Sequence, residues 1–305
     1  MIKKDGYHKT VLISEVLQYL DPQPGKTYID ATFGGGGHTA AILAKEPNCR
    51  VIALDWDPAA LEQGEKLLEE YGDRLELLWG NFASVYMIMK KHKIGKVDGI
   101  LADFGTSQHQ IFEKDGFSFS KDSYLDMRMS TAHYKTTAAE VLNKSSEDKL
   151  ANIFFDLGEE RESKKIARLI VEERKKKKFK TTSQLVDLLI RVKGPKRGNA
   201  SHPATKVFQA LRIFVNHELE NIESFLQATP KILKNNGRVV CISFHSLEDR
   251  TVKHFFKEYD HASANLDKGR FEILTTRVVT ASPEELSVNL SARSACLRAA
   301  AYLEK

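Results

Sequence analysis

Three aspartates each end an apolar run. Asp30 closes Thr27-Tyr28-Ile29, Asp55 closes Val51-Ile52-Ala53-Leu54, and Asp103 closes Val97-Asp98-Gly99-Ile100-Leu101-Ala102. Asp30 is followed by Ala31-Thr32-Phe33 and then by Gly34-Gly35-Gly36-Gly37-His38. A glycine-rich turn between a strand and a helix lets the backbone approach a ligand at the positive helix N-terminus. Asp55 lies 21 residues beyond Gly34, at the end of the next strand, where a carboxylate can accept both ribose hydroxyls of an adenosine. Dinucleotide enzymes and methyltransferases both use this layout. Three features favour S-adenosyl-L-methionine. Asp30 stands just before the glycines, where it can meet that cofactor's ammonium directly or through the turn. Gly80-Asn81-Phe82 ends the third apolar run and offers an amide and an aromatic face to an adenine; taken alone, ordinary loop packing explains these residues better. The chain closes with a fifth strand and a hairpin, with no second nicotinamide-type half. The competing readings are an NAD-dependent oxidoreductase and a non-catalytic RNA-binding protein.

In an open parallel sheet, ligands lie beyond the carboxyl ends of the strands, where strand order reverses. The fourth strand delivers Asp103-Phe104-Gly105 there, and the fifth delivers Ser243-Phe244-His245-Ser246-Leu247-Glu248-Asp249. A buried carboxylate can accept a hydrogen bond from an amine and take its proton as the nitrogen is methylated. Such a transfer needs in-line positioning more than a strongly activated nucleophile. Asp103 is therefore the expected catalytic residue. His245 either orients the substrate or relays a proton, or else is a histidine satisfied within its own loop. Methylation at a pyrimidine carbon would need a thiolate to attack the ring first. Cys241 lies mid-strand, and Cys49 and Cys296 lack a neighbouring histidine, so nitrogen or oxygen is the expected acceptor.

The elements that must hold these residues are four β/α units before Gln108. Their apolar strands alternate with helices, as in a parallel sheet buried on both faces. From Ser118 to Arg197 the alternation stops, and helical spacing covers Ser145 to Leu157, Ser163 to Lys178 and Thr182 to Val192. A long helix is expected from Pro203 towards Leu233, then a strand over Arg238 to Phe244, with Phe271 to Val278 and Ala292 to Tyr302 closing the sheet. The expected class is α/β: a Rossmann-like S-adenosylmethionine methyltransferase sheet with an inserted helical domain. The expected boundaries are 1–110 and 201–305 for the sheet domain and 111–200 for the insertion. Of the 305 residues, 42% are hydrophobic and 29% charged, the composition of a soluble globular protein. No apolar run is long enough to cross a bilayer. Three isolated cysteines without a CxxC pair argue for a reducing, cytoplasmic setting and against a metal site. The net charge of +5 is uneven: residues 108–203 hold 20 Lys and Arg against 14 Asp and Glu, the remainder 26 against 27. Such a block suits a polyanion partner, and a solvated helix face accounts for it equally.

The motifs as a set resemble the MraW/RsmH family, the cytosine-N4 methyltransferases of small-subunit (16S) ribosomal RNA. The matching text includes His8-Lys9-Thr10-Val11-Leu12, the Asp30 to His38 stretch, Asp98 through Gly105, Gly116-Phe117-Ser118-Phe119 and Leu125-Asp126-Met127-Arg128-Met129. It continues with Gly158-Glu159-Glu160-Arg161, Lys165-Ile166-Ala167-Arg168, His202-Pro203-Ala204-Thr205, Phe208 through Ile213, Val215 through Leu219, and Ser243 through Arg250. The resemblance implies cofactor contacts at Gly36, Gly37, His38, Asp55, Phe82, Asp103 and Gln110, beside the Asp30 and Gly34 of the turn itself. It implies methylation of the exocyclic amine of one cytosine in the decoding region, with small-subunit ribosomal RNA or the small ribosomal subunit as partner and a homodimer as a further expectation. Arg128, Arg161, Lys165, Arg212 and the Arg174 to Lys180 run become candidates for RNA phosphate contacts, which fix register and do not read bases. A helix C-terminus favoured by its dipole accounts better for that last run.

Overall fold

The apolar runs that end in Asp30, Asp55 and Asp103 are strands in the computed structural model, which describes residues 9–105, 114–196, 198, 201–261 and 269–304. In chain order they are β1 (Thr27–Asp30), β2 (Arg50–Asp55), β3 (Leu75–Trp79) and β4 (Val97–Asp103). β5 (Leu233–Ser243), β6 (Arg270–Ile273), β7 (Val279–Thr280) and β8 (Cys296–Leu303) complete the sheet among the described residues. The order is β3-β2-β1-β4-β5-β8-β6, with β7 also on β8. Pairings from β3 through β5 are parallel, and β8 runs antiparallel to β5, β6 and β7. The order reverses between β1 and β4, so the carboxyl ends of these two strands frame the crevice where such sheets take ligands.

Both faces of the sheet are covered, which is why its central strands are apolar throughout. Ile29, Ile52, Ile100 and Val239 pack with Phe225, Leu226 and Phe256 on one side. Tyr28, Val51, Leu101 and Val240 pack on the other with Val16, Ile42 and Leu43 from helices α1 (Ile13–Leu20) and α2 (Gly37–Lys45). By strand parity Asp30 and Asp103 point to this second side. The alanine-rich tail, which suits a helix equally by composition, is strand β8, with Leu297, Ala299 and Ala300 fully buried.

The chain forms two compact units, Met1–Gly105 with Leu219–Lys305, and Thr106–Glu218. The second unit is helical, and it is larger than the expected 111–200. It takes in the helix Thr205–Asn216, whose Val207, Phe208, Leu211 and Val215 are buried with Phe154, Ile166, Ile170 and Leu188. The expected continuous helix from Pro203 to Leu233 is two helices, because His217 adopts a left-handed backbone (φ 49°) and its N–H bonds to the Ile213 carbonyl. The expected helix over Ser145 to Leu157 is Glu147–Asn152 followed by a π turn, Ile153–Leu157. The helix Ala138–Lys144 starts on a reciprocal cap: Thr137 Oγ1 accepts from the Glu140 N–H (3.2 Å) and Glu140 Oε2 accepts from the Thr137 N–H (3.2 Å).

Asn216 pins this unit together. Fully buried, it accepts from the Met129 N–H (2.7 Å) and donates to the carbonyls of Met127 (2.7 Å) and Arg212 (2.8 Å). Asn216→Ala removes all three bonds and strands the Met129 N–H and Met127 carbonyl, so it is expected to cost about 2–4 kcal/mol. Urea denaturation measures this; a loss below about 0.5 kcal/mol would show that the network contributes little.

Candidate active site

The carboxyl ends of β1, β2 and β3 finish alike. In each, a short acidic or amide side chain accepts from the backbone N–H two residues on, an Asx turn: Asp30 Oδ1 from Thr32 (3.2 Å), Asp55 Oδ1 from Asp57 (2.8 Å) and Asn81 Oδ1 from Ala83 (2.9 Å). The chain thus turns away from the sheet at three adjacent points.

Asp30 is fully buried, and its Oδ2 accepts from the Thr39 hydroxyl at 2.7 Å. Burial pushes its carboxyl pKa up, opposed by His38 and by the hydrogen bonds from Thr39 and Thr32. With both oxygens turned to Thr32 and Thr39, Asp30 ties the end of β1 to the start of α2. Of the two roles expected for it, support of the glycine turn is the one these bonds serve. Thr32 extends the tie by accepting the Asp103 N–H on its Oγ1 at 2.7 Å. Gly34 and Gly36 take left-handed backbone angles, φ 53° and 74°, that favour residues without a Cβ. A Cβ on Gly37 would lie 1.8 Å from Thr10 Oγ1.

Asp55 Oδ2 accepts the Gly34 N–H at 2.8 Å, so the β2 acid and the turn meet directly. Burial raises its carboxyl pKa to about 6, against the lowering effect of the bonds from Asp57 and Gly34. Beside it, His38 Nε2 lies 3.6 Å from Asp103 Oδ2, too far for a hydrogen bond. Both His38 ring nitrogens and Asp103 Oδ1 are buried without a hydrogen-bond partner. Buried polar atoms are nearly always satisfied, so these three orphans at the switch point are candidates for contact with a polar ligand. The donor set suits S-adenosylmethionine: a carboxylate for ribose hydroxyls, a glycine turn for close approach, and unpaired polar atoms at the β4 end. Phe82 packs its ring against Phe104 and Phe225, with centroids 5.6 and 5.9 Å away. Asn81 turns its oxygen into its own cap. Gln110 lies outside the described residues.

His245 sits at the start of the helix Ser246–His261. Its Nδ1 accepts from the Glu248 N–H at 3.4 Å, and its Nε2 lies 3.2 Å from Glu248 Oε1, off the hydrogen-bonding direction. Glu248 is fully buried and its Oε2 takes the Phe244 N–H at 2.7 Å. Nδ1 is thus engaged by its own turn, while Nε2 and Glu248 Oε1 are buried without a hydrogen-bond partner, as are the atoms of His38 and Asp103. The thiols of Cys49, Cys241 and Cys296 are all pushed up by burial, so none offers a ready thiolate.

In the helical unit the basic candidates separate. Arg128 binds both oxygens of Asp126 (2.6 and 2.8 Å) and the Tyr134 carbonyl (3.3 Å). Arg212 binds both oxygens of Glu218 at 2.9 Å. These two arginines are held by carboxylates of their own unit. Arg161 and Lys165 are exposed, and Lys165 is only 3.6 Å from Glu162 at the surface. Arg174 turns back to the carbonyls of Leu142 and Ser145 (2.7 Å each), and Lys175 through Lys178 are exposed. The sequence reading missed Thr32, Thr39 and Glu248. Hydroxyls two and nine residues after a strand-end aspartate were the available signal for the first two.

Strand order, switch-point acids and glycine turn together define a Rossmann-like, nucleoside-binding domain of the methyltransferase kind. The model of the MraW methylase family matches residues 5–303, and the chain belongs to that family. A ribosomal RNA small subunit methyltransferase H of Sulfurihydrogenibium sp. is 43% identical over 292 residues, 95% of this chain and 97% of that protein. One of Cyanothece sp. is 44% identical over 306 residues, covering 99% and 97%. One of Carboxydothermus hydrogenoformans is 42% identical over 306 residues, covering 97% and 98%. The protein is accordingly a methyltransferase that uses S-adenosylmethionine, and the nicotinamide and non-catalytic readings fall. No described helix is long and apolar enough to cross a membrane.

Proposed function

We propose that this protein methylates N4 of a cytosine in the decoding region of small-subunit ribosomal RNA, acting in the cytoplasm on the RNA or on the small subunit. The observation that carries the chemistry is Asp103: a carboxylate at the switch point with one buried oxygen lacking any hydrogen-bond partner. The names of the related proteins supply the RNA. Bound S-adenosylmethionine supplies an electrophilic methyl group on a sulfonium. Asp55 would accept the ribose hydroxyls, the turn from Gly34 to His38 would admit the amino-acid moiety, and Phe82 would flank the adenine. Asp103 Oδ1 would orient the exocyclic amine and accept the proton that nitrogen loses on methylation. The absence of a ready thiolate favours nitrogen over a ring carbon. Arg161, Lys165 and the exposed Lys175 to Lys178 would meet phosphates.

The reading is tested by mapping methylated nucleosides, by mass, in small-subunit RNA from cells lacking the protein. One cytosine should lose its N4-methyl group and regain it when the purified enzyme and cofactor are added. An unchanged methylation map would sink the proposal.

A further inference from the structure

Two segments far apart in sequence are joined beside the glycine turn. Glu285 Oε1 accepts the Leu12 N–H at 2.9 Å. Asn289 Nδ2 donates to the carbonyls of Lys9 and Thr10, both at 3.2 Å, and Lys9 Nζ donates to the Val288 carbonyl at 3.1 Å. Both holding side chains are themselves fixed. Glu285 belongs to the short helix Pro283–Val288, whose start is capped by Ser282 Oγ taking the Glu285 N–H (3.2 Å). Asn289 ends that helix, is only 4% exposed, and bonds its own N–H to the Glu285 carbonyl at 2.7 Å.

What they hold needs holding. Leu12 has a left-handed backbone, φ 53°, which disfavours any residue with a Cβ by about 1 kcal/mol. Its neighbour Thr10 lies flush on the glycine turn: the space a Gly37 Cβ would fill is taken by Thr10 Oγ1 at 1.8 Å and Thr10 Cβ at 2.9 Å. The residue after Gly37 is His38, with two buried ring nitrogens that await partners.

We infer that Glu285 and Asn289 are positioning residues for the cofactor turn. They hold residues 9–12 so that Thr10 backs Gly37 and presets the turn and His38 for the cofactor. The inference rests on the seating of the cofactor at this turn and on Asp55, proposed above. A site that is competent only part of the time binds more weakly by that fraction, so loss of the clamp should act on cofactor affinity and leave the chemical step alone.

The full-length protein is titrated with S-adenosylhomocysteine by calorimetry, and KM for S-adenosylmethionine and kcat are measured with small-subunit RNA. Asn289→Ala and Glu285→Ala should each raise Kd and KM roughly twofold to tenfold, the value of a hydrogen bond or two, with kcat near that of the parent. Glu285→Gln keeps an oxygen that can accept the Leu12 N–H and should bind like the parent. Asp98→Ala serves as the control for mere destabilisation, because Asp98 ties Thr27 and Lys234 at the opposite end of β4; its Kd should not move. If Asp55→Ala weakens binding while Asn289→Ala and Glu285→Ala do not, the clamp is overturned and the seating stands. If Asp55→Ala also leaves binding unchanged, the seating is overturned and the clamp with it. Equal losses in Glu285→Gln and Glu285→Ala, or a weakened Asp98→Ala, would reduce the effect to stability and overturn the inference.

Discussion

Asp103→Ala is expected to lower methyl transfer roughly 10²–10⁴-fold, the range typical for a lost general base, while the chain stays folded. The backbone at this position is held independently of the side chain: Thr32 takes the Asp103 N–H, and the next N–H, of Phe104, bonds to the Ile242 carbonyl at 2.9 Å. The pairing of Asp103 with Ile242 across β4 and β5 is likewise a main-chain matter. Oδ1 makes no hydrogen bond that the mutation would break. Asp103→Asn separates two functions of the carboxylate. An amide oxygen can still orient an amine, but it cannot take a proton at neutral pH, so kcat should fall nearly as far while cofactor affinity changes by a few-fold at most. Tritium transfer from labelled S-adenosylmethionine into small-subunit RNA reads the rate, and calorimetry with S-adenosylhomocysteine reads the affinity. An asparagine variant within about threefold of the parent in kcat would remove Asp103 from the role of base.

The sheet was legible because its signals are local. Apolar runs of four to seven residues, three of them closed by an aspartate, can be read directly, and β1 to β4 fall within a residue of the expected positions. The break at His217 was not legible. Left-handed backbone at a residue with a Cβ depends on what surrounds it, here the Asn216 side chain reaching Met127 and Met129, 89 and 87 residues earlier. The same limit explains the basic residues. Arg128 and Arg212 have the composition of phosphate contacts, and only folding shows that Asp126 and Glu218 already engage them. For Arg128 a partner two residues away was visible in the text, but spacing alone could not say that the side chain folds back on it. His245 was read as orienting the substrate, relaying a proton or being satisfied in its own loop, and no pattern announces the buried Glu248 that lies against it. The clamp on residues 9–12 involves separations of 273 to 280 residues and is the least accessible to sequence reasoning.

At Asp55 the expected effect falls on binding, and it carries a pH dependence of definite sign. Two hydrogen bonds from ribose hydroxyls to a charged acceptor are worth roughly 1.5–3 kcal/mol each, so Asp55→Ala should raise the Kd for S-adenosylhomocysteine by roughly 10²-fold or more. The carboxyl is raised from an ordinary 3.8 to about 6, chiefly by burial. A raised acid is more easily protonated in the folded than in the unfolded chain. Its contribution to stability is therefore fully present below about 3.8 and is lost as the pH rises through about 6. Binding runs the other way, because the ribose hydroxyls donate to the ionised form. Below about pH 6 the carboxylate must first lose its proton, and affinity should fall by up to about tenfold per pH unit. Calorimetric titrations of the parent at about pH 7.5, 6 and 5 should show this decline, and Asp55→Asn, weaker throughout, should show little of it. The amide can still accept the Gly34 N–H, so the turn is retained in that comparison. A parent affinity that is flat down to about pH 5 would mean that Asp55 does not meet the ribose, and the seating of the nucleoside at the β2 end would have to be abandoned.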